Sequence, residues 1–191
     1  ALFGLSPIRV LGVRPSNTIT DRPTQYIVRG QQLQLADQLK LGENSLSRAD
    51  WAVNTAGTEL QFSTLHSLAG VKTLSVSQQN GAQQSVQPAA VLVSQAIAIQ
   101  NIITSNVKGG AKALSDSGGD QITVQGLGLE GNLSVHLMPY GEGFAPSAAN
   151  RLPFTLDAGN VIIERSPVTV PGKQYQLVIQ RADTNEVVAA G

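Results

Sequence analysis

The sequence predicts an all-β protein made of two tandem immunoglobulin-like β-sandwiches of about 95 residues each. Three observations carry this. Apolar residues alternate in short runs that end at turn residues; aromatics are 4% of a chain with 19 Gly and 9 Pro; and the first half of the chain aligns on the second. The first two favour short strands with frequent reversals and a core of Val, Ile, Leu and Ala. The third predicts domain 1 over residues 1–94 and domain 2 over 95–191, joined near Ser94-Gln95 by the apolar run PAAVLVSQAIAIQNI.

The alignment is read in three pieces. VLGVRPSN from Val10 resembles IQNIITSN from Ile99, and YIVRGQQL from Tyr26 lies without gaps on ITVQGLGL from Ile122, so that Val28 meets Val124 and Gly30 meets Gly126. Further on, Ala56-Gly57 falls on Ala158-Gly159 and Gly70 on Gly172. The change of offset requires extra residues in the second half, which PYGEGFAPSAANRLP supplies.

Within each half, period-two alternation assigns strands around Tyr26 and Val28, Leu39 and Leu41, and Leu74 and Val76, and in the second half around Ile122 and Val124, Val135 and Leu137, and Leu177 and Ile179. Asn80-Gly81 is a two-residue hairpin signal, and Ala182–Asn185 fills the equivalent place between YQLVIQ and EVVAA. No segment has a convincing helical period. ADQLKLGENSLSRADWA could hold one helical turn, but its spacing suits strands as well.

Charge and composition exclude several classes. Thirteen Lys and Arg balance thirteen Asp and Glu without a basic run, so the phosphate-neutralising footprint of a nucleic-acid binder is missing. No stretch approaches the ~20 apolar residues of a helical membrane span, and Pro7 and Arg9 interrupt ALFGLSPIRVLGV before it could act as an export signal. A chain that starts at Ala1 reads as a processed protein or a segment of a longer one. Without cysteine there are neither disulfides nor thiolate metal sites.

The order of an opening strand in VLGVRPSN, a strand ending in Gly within YIVRGQQL, then LQFS and LAGVKTLSV, resembles the IPT/TIG domains; so do ITVQGLGL, VIIERSP and VPGKQYQLVI in the second half. The resemblance covers most of both halves through short, degenerate motifs. It departs at TDRPTQ, where a Gly-rich approach is expected, and at HSLAG, which lacks the proline kept in SPVTVPG. It implies immunoglobulin-like modules of the kind found in surface receptors, bacterial surface and secreted proteins, carbohydrate-active enzymes and some transcription factors.

Candidate chemistry is sparse. Gly126, Gly128 and Gly131 have the G-x-G-x-x-G spacing, but NLSVHLMP follows them as a strand where a dinucleotide site needs a helix. Gly126 is therefore read as a turn or bulge glycine with incidental neighbours. Asp116 and Asp120, with Ser115 and Ser117, could form a calcium loop or a solvated turn. His66 and His136 show no zinc or catalytic spacing and are expected at the surface, His136 on the outward face of its strand. No G-x-S-x-G occurs, and Glu142, Asp157 and Glu164 read as surface carboxylates, so no enzyme and no cofactor is expected.

Trp51 suits core packing or a sugar platform. Tyr140 and Phe144, in a Gly- and Pro-punctuated loop, are the aromatic binding candidates, packing under their own loop being the alternative. The expected function is a non-catalytic spacer, stalk or protein-contact segment of an extracellular, cell-surface or virion protein, bound to a protein partner or neighbouring domains. The alternative is a carbohydrate- or calcium-dependent binding module.

Overall fold

The computed structural model describes residues 7–78, 89–108, 111–143 and 145–191, without the side chains of 107, 108 and 111. The chain divides into two compact units, Ala1–Gln95 and Ala96–Gly191. Each is an immunoglobulin-like sandwich. The described residues hold strands and three single 3-10 turns, and no α-helix.

Unit 1 runs β1 (Arg9–Arg14), β2 (Asn17–Ile19), β3 (Thr24–Gln31), β4 (Gln38–Leu41), β5 (Asn44–Leu46), β6 (Trp51–Val53), β7 (Glu59–Thr64), β8 (Gly70–Ser77) and β9 (Ala89–Ser94). One sheet has the order β1-β3-β7-β6 and the other β2-β9-β8-β4-β5. Counting β1, β3, β4, β6, β7, β8 and β9 as the seven main strands, the first, second, fifth and fourth share one layer and the third, sixth and seventh the other, which is the immunoglobulin arrangement. All pairings are antiparallel except β2 on β9. The period-two pattern TQYIVRGQ puts Tyr26 and Val28 inward at 0% exposure, where they meet Leu39, Leu41, Leu60, Leu74 and Val76 from both layers.

Unit 2 runs β10 (Ala98–Thr104), β11 (Asn106–Lys108), β12 (Ala111–Ala113), β13 (Ile122–Leu127), β14 (Leu133–Pro139), β15 (Arg151–Leu152), β16 (Thr155–Asp157), β17 (Asn160–Ile163), β18 (Tyr175–Arg181) and β19 (Glu186–Ala190). Its sheets are β10-β13-β17-β16 and β15-β14-β18-β19. The core gathers Ile122, Val124, Val135, Leu137, Val161, Leu177 and Ile179. The element that follows the opening strand departs from unit 1: β11 pairs with β12 as a separate hairpin, whereas β2 lies along β9.

Both units carry the same irregularity at the start. The pairing of β1 with β3 slips between Val10 and Gly12, opposite Gly30, and the pairing of β10 with β13 slips between Ile99 and Asn101, opposite Gly126. A bulge pushes a carbonyl toward the partner strand, and only a residue without Cβ fits beneath it. A Cβ on Gly30 would stand 2.0 Å from the Arg9 carbonyl oxygen, and one on Gly126 would stand 2.2 Å from that of Ala98. Gly128 and Gly131 are not incidental, contrary to the sequence reading. Their φ values of 69° and 81° are left-handed, and they shape the turn that leads into β14, so no helix follows.

One alignment shifts by a residue. The sequence comparison sets Leu60 against Ile162, yet Leu60 pairs with Val28 and Val161 pairs with Val124. The turn between β16 and β17 is the two-residue Ala158-Gly159, with Asp157 opposite Asn160, while unit 1 spans Val53 to Leu60 with a longer loop in which the Asn54 side chain accepts from the amides of Thr58 and Glu59. The extra residues between β14 and β15 fall in 140–150, as the connection from β4 to β5 is only Gly42-Glu43. The Ala182–Asn185 segment turns β18 into β19, and the Asn80-Gly81 signal lies outside the described residues.

Candidate functional site

A cleft of about 530 Å³ with a largely apolar lining lies at one end of the unit 2 sandwich. Ile102 and Thr104 of β10 form one wall; Leu137, Tyr175 and Leu177 form the other. The loop Thr169–Gln174 lies across the mouth. Among the described residues of unit 2, β11 pairs with β12, whereas β2 of unit 1 lies along β9.

The mouth is apolar and exposed. Tyr140 is 64% exposed and Val170 59%. Monomers rarely leave such residues clustered at a concavity without a use for them. Lys112, Lys173 and Asp116 supply charge around the same cleft. The site therefore offers an apolar slot with a mixed polar rim, the anatomy of a recognition surface.

The loop across the mouth is fixed by the turn that the sequence singled out. The Ser166 amide donates to the Asp120 carbonyl at 2.7 Å, the Gly119 amide to the Ser166 carbonyl at 2.9 Å, and the Thr169 amide to the Asp116 carbonyl at 3.1 Å. Gly118 has φ 74°, and a Cβ there would lie 2.7 Å from the Ser166 carbonyl oxygen. The Asp120 carboxylate accepts from the Ser115 amide. Asp116 and Asp120 thus buttress the cleft wall, and no group of three or more His, Asp or Glu able to hold a metal occurs among the described residues.

Tyr140 stands at the mouth because β14 is prolonged: its amide donates to the Gln174 carbonyl at 2.9 Å. Phe144 lies outside the described residues. The loop from Tyr140 to Asn150 is held at its far end by His136. Its Nδ1 faces the Asn150 Oδ1 at 2.8 Å and the Ser147 carbonyl at 3.1 Å, both acceptors, so Nδ1 carries the proton and Nε2 meets the Ser134 hydroxyl at 3.2 Å. Ser147 and Asn150 cap one another reciprocally around the 3-10 turn Ala148–Asn150.

Both histidines correct the expectation of a surface position. His136 does face outward from its sheet, but the 147–150 segment covers it to 4% exposure. His66 is 1% exposed, with Nδ1 3.4 Å from Glu43 Oε1 and 3.4 Å from Asn44 Nδ2. Glu43 also accepts from Lys72 Nζ at 2.8 Å, and that bond above all holds its carboxyl down at about 2. Trp51 is resolved in favour of packing: it is 4% exposed within the unit 1 core, with the Arg48 guanidinium 4.2 Å above its ring.

At the other end of unit 2, Arg181 and Glu186 form a buried ion pair, 2% and 5% exposed. Arg181 Nη1 also donates to the Gly128 carbonyl at 3.0 Å, and Glu186 Oε2 accepts from the Ile97 amide at 2.8 Å. Burial pushes the Glu186 carboxyl up, but the Ile97 amide, the Thr184 hydroxyl and Arg181 together outweigh it and leave its pKa lowered.

Sequence reasoning missed Val170, Lys173 and Tyr175. The available signal was in SPVTVPG, where two alternating valines are framed by prolines, a pattern of exposed apolar residues that no interior strand carries. The surface carboxylates behave as expected for solvated groups: Glu142 pairs with Lys173 at 3.3 Å, and Glu164 accepts from Gln121 at 3.1 Å.

No protein-family model matches the chain, and no curated protein sequence does. Among solved structures it is similar to one described as a crystal structure with xylogluco-oligosaccharide, at 15% identity and a TM-score of 0.47 over 97% of this chain and 41% of that one. It is also similar to FdeC, an Escherichia coli adhesin, at 14% identity and TM-score 0.44 over 98% and 65% of the two chains. A third likeness is to bovine butyrophilin, at 10% identity and TM-score 0.44 over 97% of each. The chain thus spans about two fifths of the first of these proteins.

Proposed function

We propose that this chain is a non-catalytic interaction segment of a larger surface, secreted or virion protein, and that it meets a protein partner at the cleft of unit 2. One observation carries the reading: the cleft of about 530 Å³ is apolar within and is rimmed by Tyr140 and Val170, which are 64% and 59% exposed. Fully burying a Val-sized side chain contributes about 1.5–3 kcal/mol, so two or three partner side chains seated there suffice for a specific contact.

The two units are read as two copies of one module of IPT/TIG type. The shared bulge, with a glycine beneath the carbonyl of Arg9 in one unit and of Ala98 in the other, supports the duplication. His136 is engaged in anchoring the Tyr140–Asn150 loop, which supports a binding role for that loop over a catalytic one.

A glycan is the second reading, favoured by the exposed Tyr140 ring beside polar Lys112, Lys173 and Asp116. Peptide display and a glycan array, each run with the native chain and with Val170→Asp and Tyr140→Ala, test both. The protein-partner reading expects selected peptides whose binding falls about tenfold or more with Val170→Asp. Tyr140-dependent glycan signal without peptide binding would replace it with the second reading, and ligands indifferent to both substitutions would remove the cleft from the account.

A further inference from the structure

We propose that Ser134 is a nucleophilic hydroxyl that takes an acyl group from an activated ester or thioester, which makes the outer face of the β15-β14-β18-β19 sheet a site of covalent modification. Ser134 is not among the residues that line the cleft, so this site is separate from the contact surface.

Alternation along β14 turns Val135 and Leu137 into the core and leaves Ser134 and His136 side by side on the opposite face. The tautomer of His136 is fixed by what surrounds it. The Ser147 amide donates to Asn150 Oδ1 at 2.9 Å, so that oxygen is an acceptor, as is the Ser147 carbonyl. Both face His136 Nδ1, at 2.8 and 3.1 Å, and Nε2 is left with its lone pair. Ser134 Oγ lies 3.2 Å from that Nε2 and 3.4 Å from Gln180 Oε1, and the nearer acceptor takes its proton. Hydroxyl, imidazole and amide oxygen thus stand in the order nucleophile, base and orienting acceptor.

The base is shielded while the hydroxyl borders open space. His136 is 4% exposed, whereas Ser134 lines a polar depression of about 570 Å³. Arg151, Gln180 and Val187 line it as well. Arg151 is paired with His136, and Gln180 with Ser134, so all four side chains share one face. The exposed Arg151 supplies positive charge for a carbonyl oxygen that becomes an oxyanion. Val187, 46% exposed and paired with Gln180, offers an apolar footing for the acyl chain.

In the step, Ser134 Oγ bonds to the acyl carbon as its proton passes to His136 Nε2, and the Asn150 and Ser147 oxygens hold the resulting imidazolium. The bond from the acyl carbon to the leaving oxygen or sulfur then breaks, and the leaving group takes up that proton. The products are a Ser134 ester and a free alcohol or thiol, one acyl group per chain.

The test is timed labelling of the full chain with p-nitrophenyl acetate, read by peptide mapping and mass spectrometry, with amide hydrogen exchange as the check on folding. Ser134 should be acetylated at least about a hundredfold faster than the exposed Ser45 and Ser47, and denaturing urea should abolish the difference. His136→Gln should slow the reaction about a hundredfold. Asn150 is a positioning residue: Asn150→Leu should slow labelling, and Asn150→Asp, which keeps an acceptor toward Nδ1, should restore most of it. Equal labelling of Ser134, Ser45 and Ser47 in the folded chain would overturn the inference, as would an undiminished rate in His136→Gln with β14 and β18 still protected. If that substitution unfolds unit 2, the urea comparison and the Asn150 pair decide in its place.

Discussion

The amide of Ile97 donates to the buried carboxylate of Glu186 at 2.8 Å, so the residue that leads into the first strand of unit 2 is fastened to its last strand. The same carboxylate pairs with Arg181, which is 2% exposed. Glu186→Ala should leave that guanidinium buried beside lost partners and cost about 3–5 kcal/mol of unit 2 stability. Trp51 is the only tryptophan and lies in the unit 1 core, so its fluorescence reports unit 1. Denaturation of the variant should show an unchanged Trp51 transition and early loss of amide protection in β18 and β19.

Gly30→Ala and Gly126→Ala each place a Cβ against a bulged carbonyl and should destabilise their units by about 1–3 kcal/mol, the cost of overpacking. Gly128→Ala places a side chain at a left-handed φ of 69° and should cost about 1–2 kcal/mol. Urea titrations with Trp51 fluorescence for unit 1 and hydrogen exchange for unit 2 would order the three.

Acid should weaken unit 1 through Glu43. Its carboxyl is held down at about 2 in the folded chain, chiefly by Lys72, against an unfolded value of about 4.3. A depressed folded pKa contributes stability that is present above the unfolded value and is lost as pH falls through the folded one. The Trp51 transition should therefore move to lower denaturant between about pH 4.3 and 2. Glu43→Gln should flatten that part of the profile; an identical acid slope in the variant would remove Glu43 from the account.

Tyr140→Ala should leave stability within about 0.5 kcal/mol, since the side chain is 64% exposed, while weakening any ligand that covers the cleft mouth. Thermal melting and binding measured on one preparation separate the two effects.

Much of the architecture was legible from residues. Val28, Leu39, Val124 and Val135 alternate as half-buried strands must, and all four are sealed in the cores. The register of β17 was not legible, because the shared Ala-Gly pairs sit in turns of different length. A slip of one residue in a strand changes the face, so Ile162 was set where Val161 belongs. His136 was assigned the correct face and the wrong exposure, since the segment that covers it returns from 14 residues further along. The cleft was invisible for a similar reason: Tyr140, Val170 and Tyr175 are far apart in sequence and are assembled by the fold.

The central claim is that the cleft of unit 2 is the contact surface. Methyl NMR of the full chain, titrated with a display-selected peptide, tests it most directly. The account predicts saturable shifts at Ile102, Val170 and Leu177, absent in Val170→Asp. Shifts confined to unit 1, for instance at the exposed pair Val71 and Leu92, with unit 2 unmoved, would contradict it.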